Sequence, residues 1–356
     1  MTARLPIGLP ARLALPLCAA ALSSCTLSHT LRHVDAKEGR GDTLVLSVDN
    51  DSYSFDDGNY TNGVELAWIS APLDGTRYDE EHPARRMADA FAVLPGLTPL
   101  GSAGSALFAA VTLSHLTFTP EDLGVRNPAP TARPYAGVLA LDASVMRRTE
   151  DSVTGYVLRL GWVGEASFAE ELQKEIHPWF GAEDPRGWNR QLDDEPIVNA
   201  GFTWRRRVAR GSLGDALEWD ATPELNAAAG TFYTGASAGV RVRFGPDVPD
   251  DLPLAPPRTG FEVHPAAGQA SGPDAAWYGF WEAAGHGVAH YLPIDGTVFR
   301  DSRSAEGEPF VGSTSIGASF GRGRWVLTLA YSFLTDAYEA QSNRGQFGTI
   351  SLAWHR

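Results

Sequence analysis

The 356-residue chain contains no apolar run of roughly 18 residues, the length that a membrane helix needs. Helical membrane proteins are therefore excluded, whereas a membrane β-barrel is not, because its strands alternate and leave no hydropathy peak. Basic residues are in deficit: 29 Lys and Arg against 43 Asp and Glu leave a net charge of −14. No nucleic-acid partner is expected, since that binding needs a basic face. Cysteine is scarcer still, with only Cys18 and Cys25. What the chain does have is 37 Gly, 24 Pro and a hydrophobic share of 43%. Its 10 Trp, 10 Tyr and 16 Phe are too many for a solvated coil. The length suits one large domain or two ordinary ones.

The first residues read as an address. Arg4 and Arg12 precede the apolar segment Leu13 to Leu22, and Ser23, Ser24 and Cys25 follow at once. That order of charged, apolar and small regions is the pattern of a secretory signal peptide. It divides the chain into a signal peptide over 1–24, a linker over 25–42 and a folded region over 43–356. Leu22-Ser23-Ser24-Cys25 resembles the lipobox of bacterial lipoproteins, which implies acylation of Cys25; the other reading is an ordinary cleavage site with an incidental cysteine. Cys18 falls in the removed segment, so the mature chain would hold no disulfide. An exported chain without staples suggests a bacterial envelope protein.

Past residue 42 strand follows strand. In 43–51, Leu44, Leu46 and Val48 share one face while Ser47, Asp49 and Asp51 share the other, a period of two. The same alternation recurs near 60–71, 106–119, 134–148, 152–163, 195–209, 215–229, 231–244, 275–292, 310–321, 323–334 and 345–354. This gives about twelve strands, mostly near the 9–11 residues of a tilted membrane strand. Arg159, Arg205, Arg241 and Arg243 fall on the polar faces, and Trp68, Trp162, Trp204 and Trp354 sit toward strand ends. A sandwich would have to bury those tryptophans in its core. Aromatic girdles at two lipid interfaces place them more naturally, so the expected fold is an all-β, antiparallel transmembrane barrel. The ending Trp354-His355-Arg356 is a mild departure from barrels that finish on an aromatic.

One segment breaks the alternation. In 166–180, Ser167 and Glu170 are spaced as a capping box, and Pro178 predicts that a short helix stops near His177. Gln173 and His177 are i and i+4, and so share one face. A helix carrying titratable groups at a barrel mouth is a candidate site; an ordinary loop helix with a solvated His is the plainer reading.

Several blocks carry a family resemblance. Val48-Asp49-Asn50-Asp51 with Asn59-Tyr60-Thr61-Asn62-Gly63, then Arg133-Pro134-Tyr135-Ala136-Gly137, resemble the outer-membrane lipid A 3′-O-deacylases. Gln173 through His177 to Gly181-Ala182-Glu183, Gly187-Trp188-Asn189-Arg190-Gln191-Leu192 and Phe347-Gly348-Thr349-Ile350-Ser351-Leu352 continue the match in order. The resemblance implies a twelve-stranded barrel in the bacterial outer membrane that hydrolyses the 3′-linked acyl chain of lipid A within lipopolysaccharide. It assigns the catalytic His to His177 and its accompanying Gln to Gln173, with Asn50 and Thr61 as strand-borne polar residues. Asp51 and Glu183 would be charged ligands of a divalent cation such as Ca²⁺. A neutral imidazole can take a proton from water near neutral pH, and a hard cation on oxygen ligands can stabilise an oxyanion. Gln173 would orient the water or the ring, and Thr61 would support the Asn50–Asp51 turn. Strand phase sends Asp51 and Thr61 inward and Asn50 outward, which calls for a turn or bulge at Asn50. The family's basic contact to phosphate has no clear counterpart, although Arg126 and Arg133 lie in the right region.

Two other functions fit the same fold: a channel or structural barrel with an arginine-lined lumen, and a phospholipase using the same chemistry. Gly235-Ala236-Ser237-Ala238-Gly239 and Gly317-Ala318-Ser319-Phe320-Gly321 match the serine-hydrolase elbow, but each lies in an expected strand where that motif needs a strand-to-helix turn. His286 and His290 have zinc spacing, yet Gly285 and Gly287 oppose a helix. Asp56-Asp57-Gly58 after Asp49-Asn50-Asp51 resembles a calcium loop in which Tyr53 breaks the pattern. Residues 246–274 and 72–105 read as long surface loops, the latter with a short helix from about Arg85 to Phe91.

Overall fold

Alternation over 43–50 builds β1 (Thr43–Asn50), and the same rule produces β2 (Asn59–Ile69), β3 (Ser105–Thr119), β4 (Ala136–Thr149), β5 (Ser152–Val163) and β6 (Glu195–Arg206). After a five-residue flap, β7 (Ala209–Leu213), come β8 (Leu217–Gly230), β9 (Tyr233–Gly245), β10 (Ala276–Tyr291), β11 (Phe310–Arg322), β12 (Trp325–Leu334) and β13 (Gly345–His355). The computed structural model describes residues 41–51, 59–73, 77–97, 104–180, 183–214, 216–257, 259–261, 275–343 and 345–356; the side chains of 59–61, 179 and 180 fall outside that description. The expected signal peptide and acylated Cys25 lie outside the described residues, as does the Asp56-Asp57-Gly58 stretch.

Twelve strands close into one antiparallel barrel. Sequence neighbours pair, β1 joins β13, and β8 pairs with β6, while β7 pairs with β8 alone. Leu46, Leu66, Leu113, Leu141, Leu160 and Ile350 lie exposed on the outer wall, the face that lipid covers. Val45, Ser47 and Asp49 are buried inside.

The lumen is packed rather than open. Each expected inward arginine meets a carboxylate directly opposite on the next strand: Arg159 with Asp142, Arg205 with Glu224, Arg241 with Glu282 and Arg243 with Asp220. Arg159 binds both oxygens of Asp142, Nε and Nη2 each at 2.8 Å. A buried charge of this kind is tolerable only because a partner neutralises it.

Residues 246–257 and 259–261 depart from the expected surface loop. The backbone carbonyls of Pro249 and Asp251 accept from Arg243 at 3.0 and 3.3 Å. Leu252 and Leu254 then pack with Val45, Phe108 and Val326 near the end of the barrel that carries both termini. Phe261 lies among Tyr233, Tyr291 and His286, close to the opposite end. The segment therefore runs along the lumen, drawn in by three apolar side chains that water would otherwise surround.

Two helices lie on the outer wall. α1 (Pro83–Phe91), close to the expected short helix, buries Ala84 and Ala88 against the outward Leu107, Ala109 and Val145. α2 (Ala169–Phe180) sits at the opposite end. A one-turn helix, α3 (Leu292–Asp295), helps close that end over the lumen.

Candidate active site

The site begins with a row of outward side chains where lipid-facing residues would be apolar. Asn50 pairs with Gly348 on one side and Asn62 on the other; Asn62 pairs with Thr117, and Thr117 with Gly137. The expectation of a turn at Asn50 fails: the ladder stays regular through Asn50, and the irregularity falls opposite, between Tyr60 and Asn62. Thr61 occupies that bulge, and its side chain lies outside the described residues.

α2 is folded onto this row by the segment before it. The Gly164 N–H donates to the Gly137 carbonyl at 3.0 Å, and Ser167 Oγ donates back to Gly164 at 2.6 Å. The His115 ring, outward on β3, meets the Ser167 carbonyl at 3.1 Å. A Cβ at Gly137 would lie 2.1 Å from Ser167 Oγ and 2.3 Å from Ala169 Cβ, so only glycine lets the segment seat. The capping box does not form, because Ser167 is spent in a turn of 3₁₀ helix and Phe168 precedes α2 in left-handed geometry. The helix also passes Pro178 and reaches Phe180. Proline's fixed φ suits a helix, and its missing N–H removes a single bond.

Gln173 and His177 share a face of α2, with Gln173 buried and His177 half-buried. His177 Nδ1 lies 2.7 Å from the Glu183 backbone carbonyl. A carbonyl can only accept, so Nδ1 carries a proton, and the neutral form of the ring has its lone pair at Nε2. The Glu183 carboxylate lies over Gly124, whose added Cβ would stand 2.4 Å from Oε1. Gln173 Oε1 accepts from the Trp188 indole at 2.7 Å, and its buried Nε2 has no partner among the described residues. Trp188 is itself fully buried, its ring tilted against Tyr135 with centroids 5.0 Å apart. Burial pushes the Tyr135 hydroxyl up to about 12, so it stays protonated and donates to the Leu123 carbonyl at 3.3 Å.

The remaining expected residues differ in exposure. Asp51 is buried at the end of β1. Arg126 is exposed on the loop after β3, whereas Arg133 is enclosed, its guanidinium 5.9 Å from the Phe118 ring and 5.6 Å from that of Tyr338. No three His, Cys, Asp or Glu side chains converge among the described residues. Asn62, Thr117 and Trp188 are site residues that sequence reasoning passed over. The signal for the first two was polarity on the lipid phase of a strand. Ser319 bonds Thr328 across the sheet at 2.9 Å, and His286 and His290 meet Ser313 and the Thr231 carbonyl at 2.9 and 3.0 Å, as strand residues do.

A family model described as outer membrane protein LpxR matches residues 14–356. No curated protein matches the chain. Among solved structures, LpxR from Salmonella typhimurium is similar at 15% identity and a TM-score of 0.66, over 88% of this chain and 99% of that one. The β domain of the Bordetella autotransporter BrkA gives 9% identity and a TM-score of 0.40, over 88% and 97%.

Proposed function

The chain belongs to the outer membrane protein LpxR family, the lipid A 3′-O-deacylases, and on that premise we propose that His177 activates water to cleave the ester of the 3′-linked acyl chain. The observation that carries this reading is the bond from His177 Nδ1 to the Glu183 carbonyl, which leaves Nε2 as the base. Gln173, its Oε1 held by Trp188, offers an N–H to the water or to the oxygen on which charge develops. Asn50 faces the same outer wall and offers a second amide. The substrate then reaches the site sideways from the outer leaflet, between α2 and the wall. Of the two arginines, exposed Arg126 is the one that meets lipid A phosphate; Arg133 braces the barrel end.

Asp51 and Glu183 are hard oxygen donors, the type a divalent ion such as Ca²⁺ takes, and among the described residues its other ligands would be neutral oxygens or water. When bound, such an ion supplies positive charge beside the ester carbonyl.

Mass spectrometry of lipid A from cells carrying wild type or His177→Ala tests the reading. Loss of one ester-linked chain only with wild type is expected; identical profiles would remove it. Glycerophospholipid cleavage in place of lipid A cleavage would favour the phospholipase. Full activity in excess EDTA would refute the cation.

A further inference from the structure

The outer wall carries a band of aromatic side chains toward the end that holds both termini. Trp68 on β2, Trp354 on β13, Trp325 on β12, Trp277 on β10, Trp219 on β8 and Tyr156 on β5 take outward positions there. β1 passes between Trp68 and Trp354, both paired with Leu44. The band is broken on β3 and β4, whose outward residues at that depth are Leu107, Ala109, Val111, Ala143, Val145 and Arg147.

α1 sits in that gap. It buries Ala84 and Ala88 against Leu107, Ala109 and Val145, with Met87 and Phe91 packed beside them. Its start lies by β2, where the His82 ring is 6.5 Å from that of Trp68; the turn after it reaches β5, where the Tyr156 hydroxyl donates to the Pro95 carbonyl at 2.9 Å. The helix therefore crosses the strands, as an element lying in the plane of a membrane surface does. Its outer face is polar, with Arg86 and Asp89 exposed, and Val93 just beyond is the most open of the large apolar side chains described, at 87%. Arg77, Arg85 and Arg86 stand against Asp79, Glu80, Glu81 and Asp89, so no excess of positive charge selects an anionic lipid.

Strand geometry sets the distance to the other end. From Leu107 and Ala109, under α1, to Thr117, in the polar row at the site, is eight to ten residues of β3. At about 3.4 Å per residue that is about 27–34 Å, and a tilt of about 40° makes it about 21–26 Å across the membrane. The apolar band of a membrane barrel is about 25 Å tall. With α1 among the headgroups of one leaflet, the row from Asn50 to Thr117 meets the interface of the other.

We propose that α1 is a contact site for zwitterionic glycerophospholipid headgroups in the leaflet at the termini end, and that it sets the depth at which the site meets the opposite leaflet. The occupant follows from continuity: α1 fills a gap in a band that faces lipid, and its charged outer face keeps it out of the acyl region. The contact is independent of catalysis, whereas its role in placing the site rests on the deacylase reading.

A benzophenone side chain in place of Val93, in full-length protein in its own outer membrane, reads the contact on irradiation. A glycerophospholipid adduct is expected there and none at Glu150, which is exposed in the turn between β4 and β5. No lipid adduct at Val93 would overturn the contact, and a lipid A adduct would put α1 in the wrong leaflet and overturn it too. An adduct confined to anionic phospholipid would overturn the choice of headgroup. Ala88→Glu forces the helix off Ala109 and Val145 and reads the depth. Heat-modifiable migration on gels checks the barrel; should it fail to form, Met87→Ser with Phe91→Ser takes its place. Lipid A cleavage is expected to fall about tenfold in vesicles and to stay near wild type in detergent, where there is no leaflet to match. Equal loss in both, or loss in neither, would overturn the depth role. If wild type cleaves no lipid A the deacylase reading falls, and the Val93 adduct still decides the contact.

Discussion

The Trp188 indole N–H points at the side-chain oxygen of Gln173 across 2.7 Å, with both residues buried. Indole can only donate, so the amide has one orientation, with its oxygen toward Trp188 and its N–H₂ toward the site. Trp188→Phe keeps a ring against Tyr135 but removes the donor, freeing the amide to turn. We expect kcat to fall about tenfold with little change in KM, the scale of one buried bond left unmade. Equal activity in Trp188→Phe and wild type would show that the orientation does not matter.

Gly137 makes a second, steric prediction. Its missing Cβ is the space into which Ser167 and Ala169 settle. Gly137→Val should lift the start of α2 off the wall and abolish lipid A cleavage. The barrel should still form, because Gly137 faces outward and its ladder bonds are backbone. Heat-modifiable migration on gels reads the barrel and lipid A mass reads the site; intact activity would refute the seating role.

Much of this was legible in the sequence, for a physical reason. Alternation survives in Leu44, Leu46 and Val48 whatever lies around them, since one barrel face must meet lipid and the other must not. The outward phase of Asn50 was legible too. Its meaning was not, because the row it begins gains a partner only at its far end, where Ser167 and Ala169 seat on Gly137, and that contact is distant in sequence from Asn50. Residues 246–261 misled for the opposite reason. Pro, Gly and Asp dominate there, and three apolar side chains, Leu252, Leu254 and Phe261, decide where the segment goes.

Glu121 links two loops at the site end. It accepts from the backbone of Ser342 at 2.8 Å and of Asn343 at 2.9 Å, and from the Ser342 hydroxyl. Burial raises its carboxyl, but these bonds outweigh burial and hold it below the ordinary 4.5. A lowered folded value means the contribution is complete above 4.5 and is lost as pH falls through the lower folded value. The thermal midpoint of wild type should exceed that of Glu121→Gln at neutral pH, and the gap should close as pH falls through the lowered folded value. A gap that persists in acid would refute the latch.

The packed lumen decides against the channel reading, and its parts can be tested separately. Arg243 is buried, pairs with Asp220 and also donates to the carbonyls of Pro249 and Asp251, so it anchors the threaded segment to the wall. Arg243→Ala leaves buried Asp220 to the more distant Arg207, at 3.9 Å, so stability should fall, though by less than the about 3–5 kcal/mol of a fully orphaned charge. Exchanging Arg243 and Asp220 together for Met and Leu should cost much less, because no orphan charge remains. Reconstituted wild type should give no steady ion conductance, since Leu252, Leu254 and Phe261 pack inside the lumen. Replacing residues 248–274 by a short turn removes that filling while β9 and β10 keep their ladder, and conductance should appear. Steady conductance in wild type would mean that the segment leaves the lumen in a membrane, and the channel reading would return.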